Sequence, residues 1–509
     1  MTTIFRCLAA GIVAVASFQT RSFAQGPGIF DGQSDIGAVK HPGTVVYHPR
    51  EQNYVIAGSG ANVWANADEF HFVWKKMHGD FLLRMTGAFV NKTKEEHSKW
   101  GWMIRTSLDK ASAHVSAVAH ANGLTSMQYR KTAGAVTEEM QSKINGADVI
   151  QLERIGGVFI MSVARNGETF TTDTLRSVSL NDDVYAGLFV CAHNAANVET
   201  AEFNNVRIVV PANKNMTGYQ KYIGSDIEIL DTWNKTSRII YQSDKSIQAP
   251  NWTADNKSLI YNKDGLLYKY NLATNVPAVL NTGTVNQNNN DHVISFDNKW
   301  LTISSSTAGS DGSIGWVVPI NGGEPRRITP IGPSYMHGWS PDGKYLVFTG
   351  MRNKDFDVYR VPVAGGEEVR LTDTKGLDDG PEYTPDGKYI YFNSVRTGLM
   401  QIWRMKPDGS EQTQITHDEF NNWFPHISPD GKNIVFVTFL KNEVAAGDHP
   451  FYKHVYLRMM PINGGEPKVV AYLYGGQGTI NTPSWAPDSR HLAFVSNSSL
   501  LFPTFPIEK

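Results

Sequence analysis

Between residues 25 and 212, apolar and polar side chains alternate in short runs, and helical spacing of the apolar positions is almost absent. The runs include Tyr54-Val55-Ile56-Ala57, Phe70-His71-Phe72-Val73-Trp74, Phe81-Leu82-Leu83-Arg84-Met85 and Val158-Phe159-Ile160-Met161-Ser162-Val163. The last is followed by Asn166-Gly167, a pair suited to a tight hairpin turn. This pattern predicts strands folded into a sandwich or jelly roll.

From residue 226 the alternation becomes periodic. A short phrase recurs as Asn251-Trp252-Thr253-Ala254-Asp255, Ile294-Ser295-Phe296-Asp297, Trp339-Ser340-Pro341-Asp342-Gly343, Tyr383-Thr384-Pro385-Asp386-Gly387, Ile427-Ser428-Pro429-Asp430-Gly431 and Trp485-Ala486-Pro487-Asp488. Its aspartates are spaced by about 44 residues, with one longer interval before Asp488, which suits a four-stranded propeller blade. In the third copy the turn leads into Tyr345-Leu346-Val347-Phe348, and a second strand follows at Val358-Tyr359-Arg360-Val361. Such a meander cannot bury both faces alone and must stack on its neighbours. The last copy supplies only inner strands, so Asp226–Leu230 and Ser237–Tyr241 are expected to complete its blade and close the ring.

On these repeats, residues 226–509 resemble a six-bladed TolB-type propeller. The N-terminal half, on Trp102-Met103-Ile104-Arg105, Tyr185-Ala186-Gly187-Leu188-Phe189 and Ala201-Glu202-Phe203, resembles the concanavalin-like jelly rolls attached to bacterial carbohydrate-active proteins. The expected organisation is all-β: a leader over 1–24, a sandwich over 25–212, a linker over 213–225 and the propeller. The jelly-roll resemblance implies a saccharide partner. Trp64, Trp100 and Trp102 are then either stacking platforms for sugar rings or core.

Composition changes the picture in three ways. Net charge is −2, with 47 Lys and Arg against 49 Asp and Glu, which provides no long-range field for nucleic acid or an anionic membrane. Arg6, the apolar run Leu8–Phe18 and Ser22-Phe23-Ala24 before Gln25 read as a Sec-type leader, so a periplasmic or secreted protein without a membrane span is expected. Cys7 follows Arg6 and lacks a lipobox, and removal of the leader leaves Cys191 alone, as inert core. A Gly-x-Ser-x-Gly elbow, a phosphate-binding glycine loop, a dinucleotide fingerprint and paired-cysteine zinc motifs are all absent.

In a propeller, the loops entering the innermost strands gather at one mouth of the channel, where function concentrates. His292, His337, Glu382 and His426 stand where those strands begin, and Asp291, Asp378, Asp379, Asn421, Asn422, Trp423 and Phe424 lie beside them. One reading makes His292, His337 and His426 ligands of a divalent metal (Mn, Ca or Zn), with Glu382 and His337 as catalytic groups. Asp379, Asn422, Trp423 and Arg396 would then bind a saccharide. Oligogalacturonate lyases, which resemble this propeller class, have a histidine-rich metal site at their channel, although no residue role carries over position by position. The other reading makes the histidines hydrogen-bonded channel plugs or contacts for a protein partner. Strand alternation starts His292 and His337 on the opposite face from His426 and Glu382. Arg352 and Arg396 are carboxylate clamps or structural tethers, and the insertion Lys441–Lys453 is a lid or a solvated excursion.

The two expectations for function are therefore a carbohydrate-handling protein, as a metal-assisted lyase or hydrolase, and a TolB-like scaffold contacting proteins of the cell envelope.

Overall fold

A computed structural model of the protein describes residues 27–93, 95–216 and 219–507; the expected leader and Cys7 lie outside them. Residues 32–209 form two antiparallel sheets of seven strands each. Phe70–His78, Asp183–Cys191 and Lys99–Arg105 are consecutive in one sheet, and Val149–Ile155, Phe81–Phe89 and Glu199–Val209 in the other. Leu83, Ile104, Leu152, Met161, Leu188 and Phe203 share a single apolar core. Trp100 and Trp102 belong to that core rather than to a stacking platform, whereas Trp64 is 37% exposed on a short hairpin. Cys191 is free and buried, and burial pushes its thiol up to about 11.

Five four-stranded sheets follow, beginning at Ile247, Asn288, Ser334, Asp378 and Asn421, and we number them blades 1 to 5. Blade 6 is composite: His491–Asn497 pairs with Ser225–Asp231, which pairs with Thr236–Ser243, in a register that sets Ile229 opposite Ala493. A bridge from Trp485 to Leu492 adds the innermost position. Six blades and the expected closure are thus both present.

The recurring aspartate has a local cause. Asp342 Oδ1 accepts hydrogen bonds from the Ser340 hydroxyl and the Lys344 amide, which locks the turn between the two inner strands. Asp255, Asp297, Asp386 and Asp430 repeat both bonds, and the turn hydroxyl and amide hold Asp386 down at about 2.

One irregularity recurs as well. In blades 1 to 5 the register between the innermost strand and the next one shifts, between Gln248 and Asn251, Asn288 and His292, Met336 and Gly338, Asp379 and Glu382, and Trp423 and His426. Ala249, Gly380 and Phe424 take a left-handed conformation within these bulges. A bulge inserts an extra residue and re-aims the side chains around it.

The two halves are welded together. Phe502 and Phe505, beyond the last blade, are buried in the N-terminal core together with Ile239 of blade 6. Arg207 pairs with Glu228 at 2.5 Å in full burial, and Glu228 also accepts from Ser237 and Ser496. Among the described residues no helix is long and apolar enough to cross a membrane.

Candidate functional site at the channel mouth

A cavity of about 710 Å³ opens at one end of the channel. Blades 1 to 5 contribute to its wall, with Asn262 from blade 1, Asn290 and Asp291 from blade 2, His337 from blade 3, Asp379 from blade 4 and Phe424 from blade 5, and the stretch leading into blade 6 adds Asn481. Tyr219 and Tyr222 of the linker and His449 and Phe451 of the blade 5 insertion form its rim. The ring of Phe451 meets those of Tyr219 and Tyr222 edge-on at 5.0 and 5.5 Å, and the Tyr452 hydroxyl accepts from the Ile223 amide. The insertion therefore folds over the mouth and is tied to the linker.

The floor carries a compact ionisable group. His337 lies inside the blade 3 bulge and turns its Nε2 to Asp379 Oδ1 at 3.3 Å, with Asp291 Oδ1 at 4.0 Å. Asp379 is further held by the Thr349 hydroxyl at 2.6 Å and the Gly380 amide at 2.7 Å. Burial lowers the affinity of His337 for a proton, but the Asp379 hydrogen bond and the charges of Asp291 and Asp379 outweigh it, so its pKa is raised. Asp291 is pushed up to about 6, chiefly by burial, with His337 opposing and the like charge of Asp379 adding. Burial dominates Asp379 too, yet His337 and the Thr349 hydroxyl bring it below the ordinary carboxylate range. His449 is lowered by burial; its ring stacks on Trp423 at 4.3 Å.

Of the residues singled out from the sequence, Asp291, His337, Asp379 and Phe424 line this cavity, and His292, Glu382, His426, Asn422, Trp423 and Arg396 do not. His292 is fully buried, with Nε2 3.2 Å from the Ile260 carbonyl oxygen of blade 1. His426 engages both ring nitrogens, Nδ1 with Glu382 at 2.6 Å and Nε2 with the Ile480 carbonyl. The other oxygen of Glu382 accepts from the Ile427 amide at 3.0 Å. Asn251 does the same three repeats earlier, between blades 1 and 2, accepting from the Ile294 amide at 3.1 Å. Glu382 is therefore a strut between blades 4 and 5.

Asn422 is completely buried, accepting from Thr438 and Arg458 and donating to Asp418. Trp423 is completely buried as well. Arg396 Nη2 donates to both carboxylate oxygens of Asp378 at 2.9 and 3.0 Å and the guanidinium lies over the Trp403 ring; Arg352 makes a bidentate pair with Glu368 and lies over Phe348. Both are tethers within their blades.

The three histidines proposed as metal ligands thus point to separate places, and among the described residues no group of three or more His, Cys, Asp or Glu is arranged to hold a metal ion. The donor set does not fit a metal, because two of its three imidazoles are already bonded to backbone carbonyls.

Sequence reading passed over the amides of Asn288, Asn289 and Asn290, the linker tyrosines and Tyr335, all of which line the cavity. The unbroken amide run just before Asp291 was the available signal.

A family model for the TolB β-propeller domain matches residues 331–450. An uncharacterized protein of Agrobacterium fabrum is 42% identical over 280 residues, covering 55% of this chain and 94% of the relative. A solved structure from Agrobacterium tumefaciens, which carries the TolB name provisionally, is 42% identical with a TM-score of 0.52, over 54% of this chain and 99% of its own. TolB from Acinetobacter baumannii is similar at 18% identity and a TM-score of 0.40, over 50% and 64% of the two chains. An oligogalacturonate lyase in complex with manganese is similar at 15% and 0.34, over 49% and 67%. Neither of these last two likenesses bears on function. The repeats, the composite sixth blade and the close Agrobacterium relatives agree: through its C-terminal half, this chain belongs to the TolB β-propeller family.

Proposed function

We propose that this protein is a TolB-type interaction scaffold of the cell envelope, exported to the periplasm or secreted, whose propeller cavity receives a segment of a partner protein. The observation that carries this reading is the division of labour among the polar side chains. Those suited to metal or acid–base chemistry at the channel, His292, His426 and Glu382, are spent on bonds between blades. Those left facing the cavity are mostly amides and aromatic rings, with a few carboxylates and the imidazoles of His337 and His449, and His337 is itself engaged by Asp379; such a lining is a recognition surface. On this reading the N-terminal two-sheet unit is a concanavalin-like jelly roll that docks the propeller.

A saccharide is the second reading, favoured by the same mixture of amides and rings, with Tyr335 and Phe356 6.1 Å apart at the wall. One experiment separates the two. A photo-crosslinking amino acid is placed at Tyr335 or Phe356, and as a control at Trp233, which is 72% exposed outside the cavity. After irradiation in intact cells, the scaffold reading expects defined polypeptide adducts from the cavity positions and none from Trp233. Cavity positions that yield no polypeptide adduct, or the same set as Trp233, would sink it; suppression of the adducts by acidic oligosaccharide added before irradiation would favour the saccharide.

A further inference from the structure

Resting on the scaffold reading, we propose that the segment received is an extended peptide that delivers one Lys or Arg side chain to the carboxylates of Asp291 and Asp379. Charge is the first argument. Asp264, Asp291 and Asp379 all line the cavity, and among the described residues no lysine or arginine does. The imidazole of His337 faces Asp291 and Asp379, and it is engaged by Asp379 at 3.3 Å. Asp291 is only 6% exposed, and its ion-pair neighbour, His337 Nε2, stands at 4.0 Å, beyond hydrogen-bond reach. A carboxylate buried to this degree is normally matched by a close cation. An incoming ammonium or guanidinium supplies one from the open side.

The backbone argument is independent of charge. Asn288 and Asn290 stand two residues apart on one strand, each 5% exposed and each on the cavity wall. Asn288 Nδ2 donates to the Gly265 and Val285 carbonyls at 3.0 and 3.3 Å, which fixes the amide and leaves Oδ1 without a hydrogen-bond partner. Asn290 Nδ2 is likewise unpartnered. A buried acceptor and a buried donor left open cost free energy unless something fills them. They match what an extended backbone offers, an N–H and a carbonyl at strand spacing. The amides therefore address the main chain, the carboxylates the side chain, and the ring of Phe451 with Tyr219 and Tyr222 encloses the entrance.

The test is selection of a random dodecapeptide library on the full-length protein and on Asp291→Asn, which removes the charge and keeps an oxygen able to accept from the Asn289 side chain. Wild type is expected to enrich peptides with Lys or Arg at one position about tenfold over the input, and Asp291→Asn to lose that enrichment. Asp291→Glu is expected to recover part of it. Peptides enriched without a basic residue, basic peptides enriched equally on Asp291→Asn, or no enrichment on wild type would each overturn the proposal. Polypeptide adducts at Tyr335 or Phe356 would in those cases keep the scaffold reading, so the two failures are distinguishable.

Discussion

His337 of blade 3 and Asp379 of blade 4 meet on the channel wall with Nε2 3.3 Å from Oδ1, and each owes its direction to a bulge in its innermost strand. Neighbouring blades bring the two strands side by side, and the extra residue in each turns the side chain toward the cavity. The pair concentrates the ionisation behaviour of the mouth.

That behaviour is measurable as stability. Burial pushes Asp291 up to about 6, so the folded protein holds this proton more tightly than the unfolded chain, and stability falls as pH rises from the unfolded value through that point. His337 has the same sign: its raised pKa gives stability that is full at low pH and is lost as pH rises through the folded value. Asp379 is depressed, so its contribution disappears only below the ordinary carboxylate range. Asp291→Asn should therefore gain stability relative to wild type by roughly 2–3 kcal/mol between about pH 4 and about pH 7. Urea unfolding of both proteins across that window checks it, and a gap independent of pH would count against it.

Glu382→Ala should behave as the loss of a strut. It leaves His426 Nδ1 and the Ile427 amide unpaired in a buried position, at a cost of about 2–4 kcal/mol. Binding at the cavity should change by less than about threefold once unfolding is accounted for. Denaturation and a binding isotherm on the same variant separate this from a catalytic or ligand-binding role.

The joint between the halves depends on Arg207 and Glu228. Arg207→Met strands a buried carboxylate and should cost about 3–5 kcal/mol, with much of the loss recovered in Arg207→Met/Glu228→Leu. Calorimetry should show the single variant's transition broadening or splitting as the halves uncouple.

The rim offers a prediction about motion. Phe451→Ala removes two edge-on ring contacts, each worth about 0.5–1.5 kcal/mol, and should speed amide exchange over residues 219–224 and 447–453 while leaving the blade strands protected. Exchange followed by mass spectrometry reads this directly.

Much of the architecture was legible because its causes are local. Each hydroxyl-x-Asp phrase closes its own turn, so Ser340 with Asp342 and Ser428 with Asp430 show in the sequence the bonds they make in the fold. The missing outer strands of the last repeat likewise identified Asp226–Leu230 and Ser237–Tyr241 as their replacement, and these lie within the strands Ser225–Asp231 and Thr236–Ser243. At the cavity, Asp291, His337, Asp379 and Phe424 stand on the wall where the sequence put the channel mouth, whereas Asn422, Trp423 and Arg396 are internal supports.

The chain's own order of residues thus determined six strand clusters, their turns and the need for a closed ring, since hydrogen bonds over a few residues and a period of about two decide those features. Only the tertiary structure decided which side chains share the cavity. Bulges break the alternation at the very positions concerned, so His292 turns to a backbone carbonyl while His337 turns to the mouth. The rim is assembled from a linker and an insertion far apart in the chain, which meet because ring closure brings blade 6 beside blade 5.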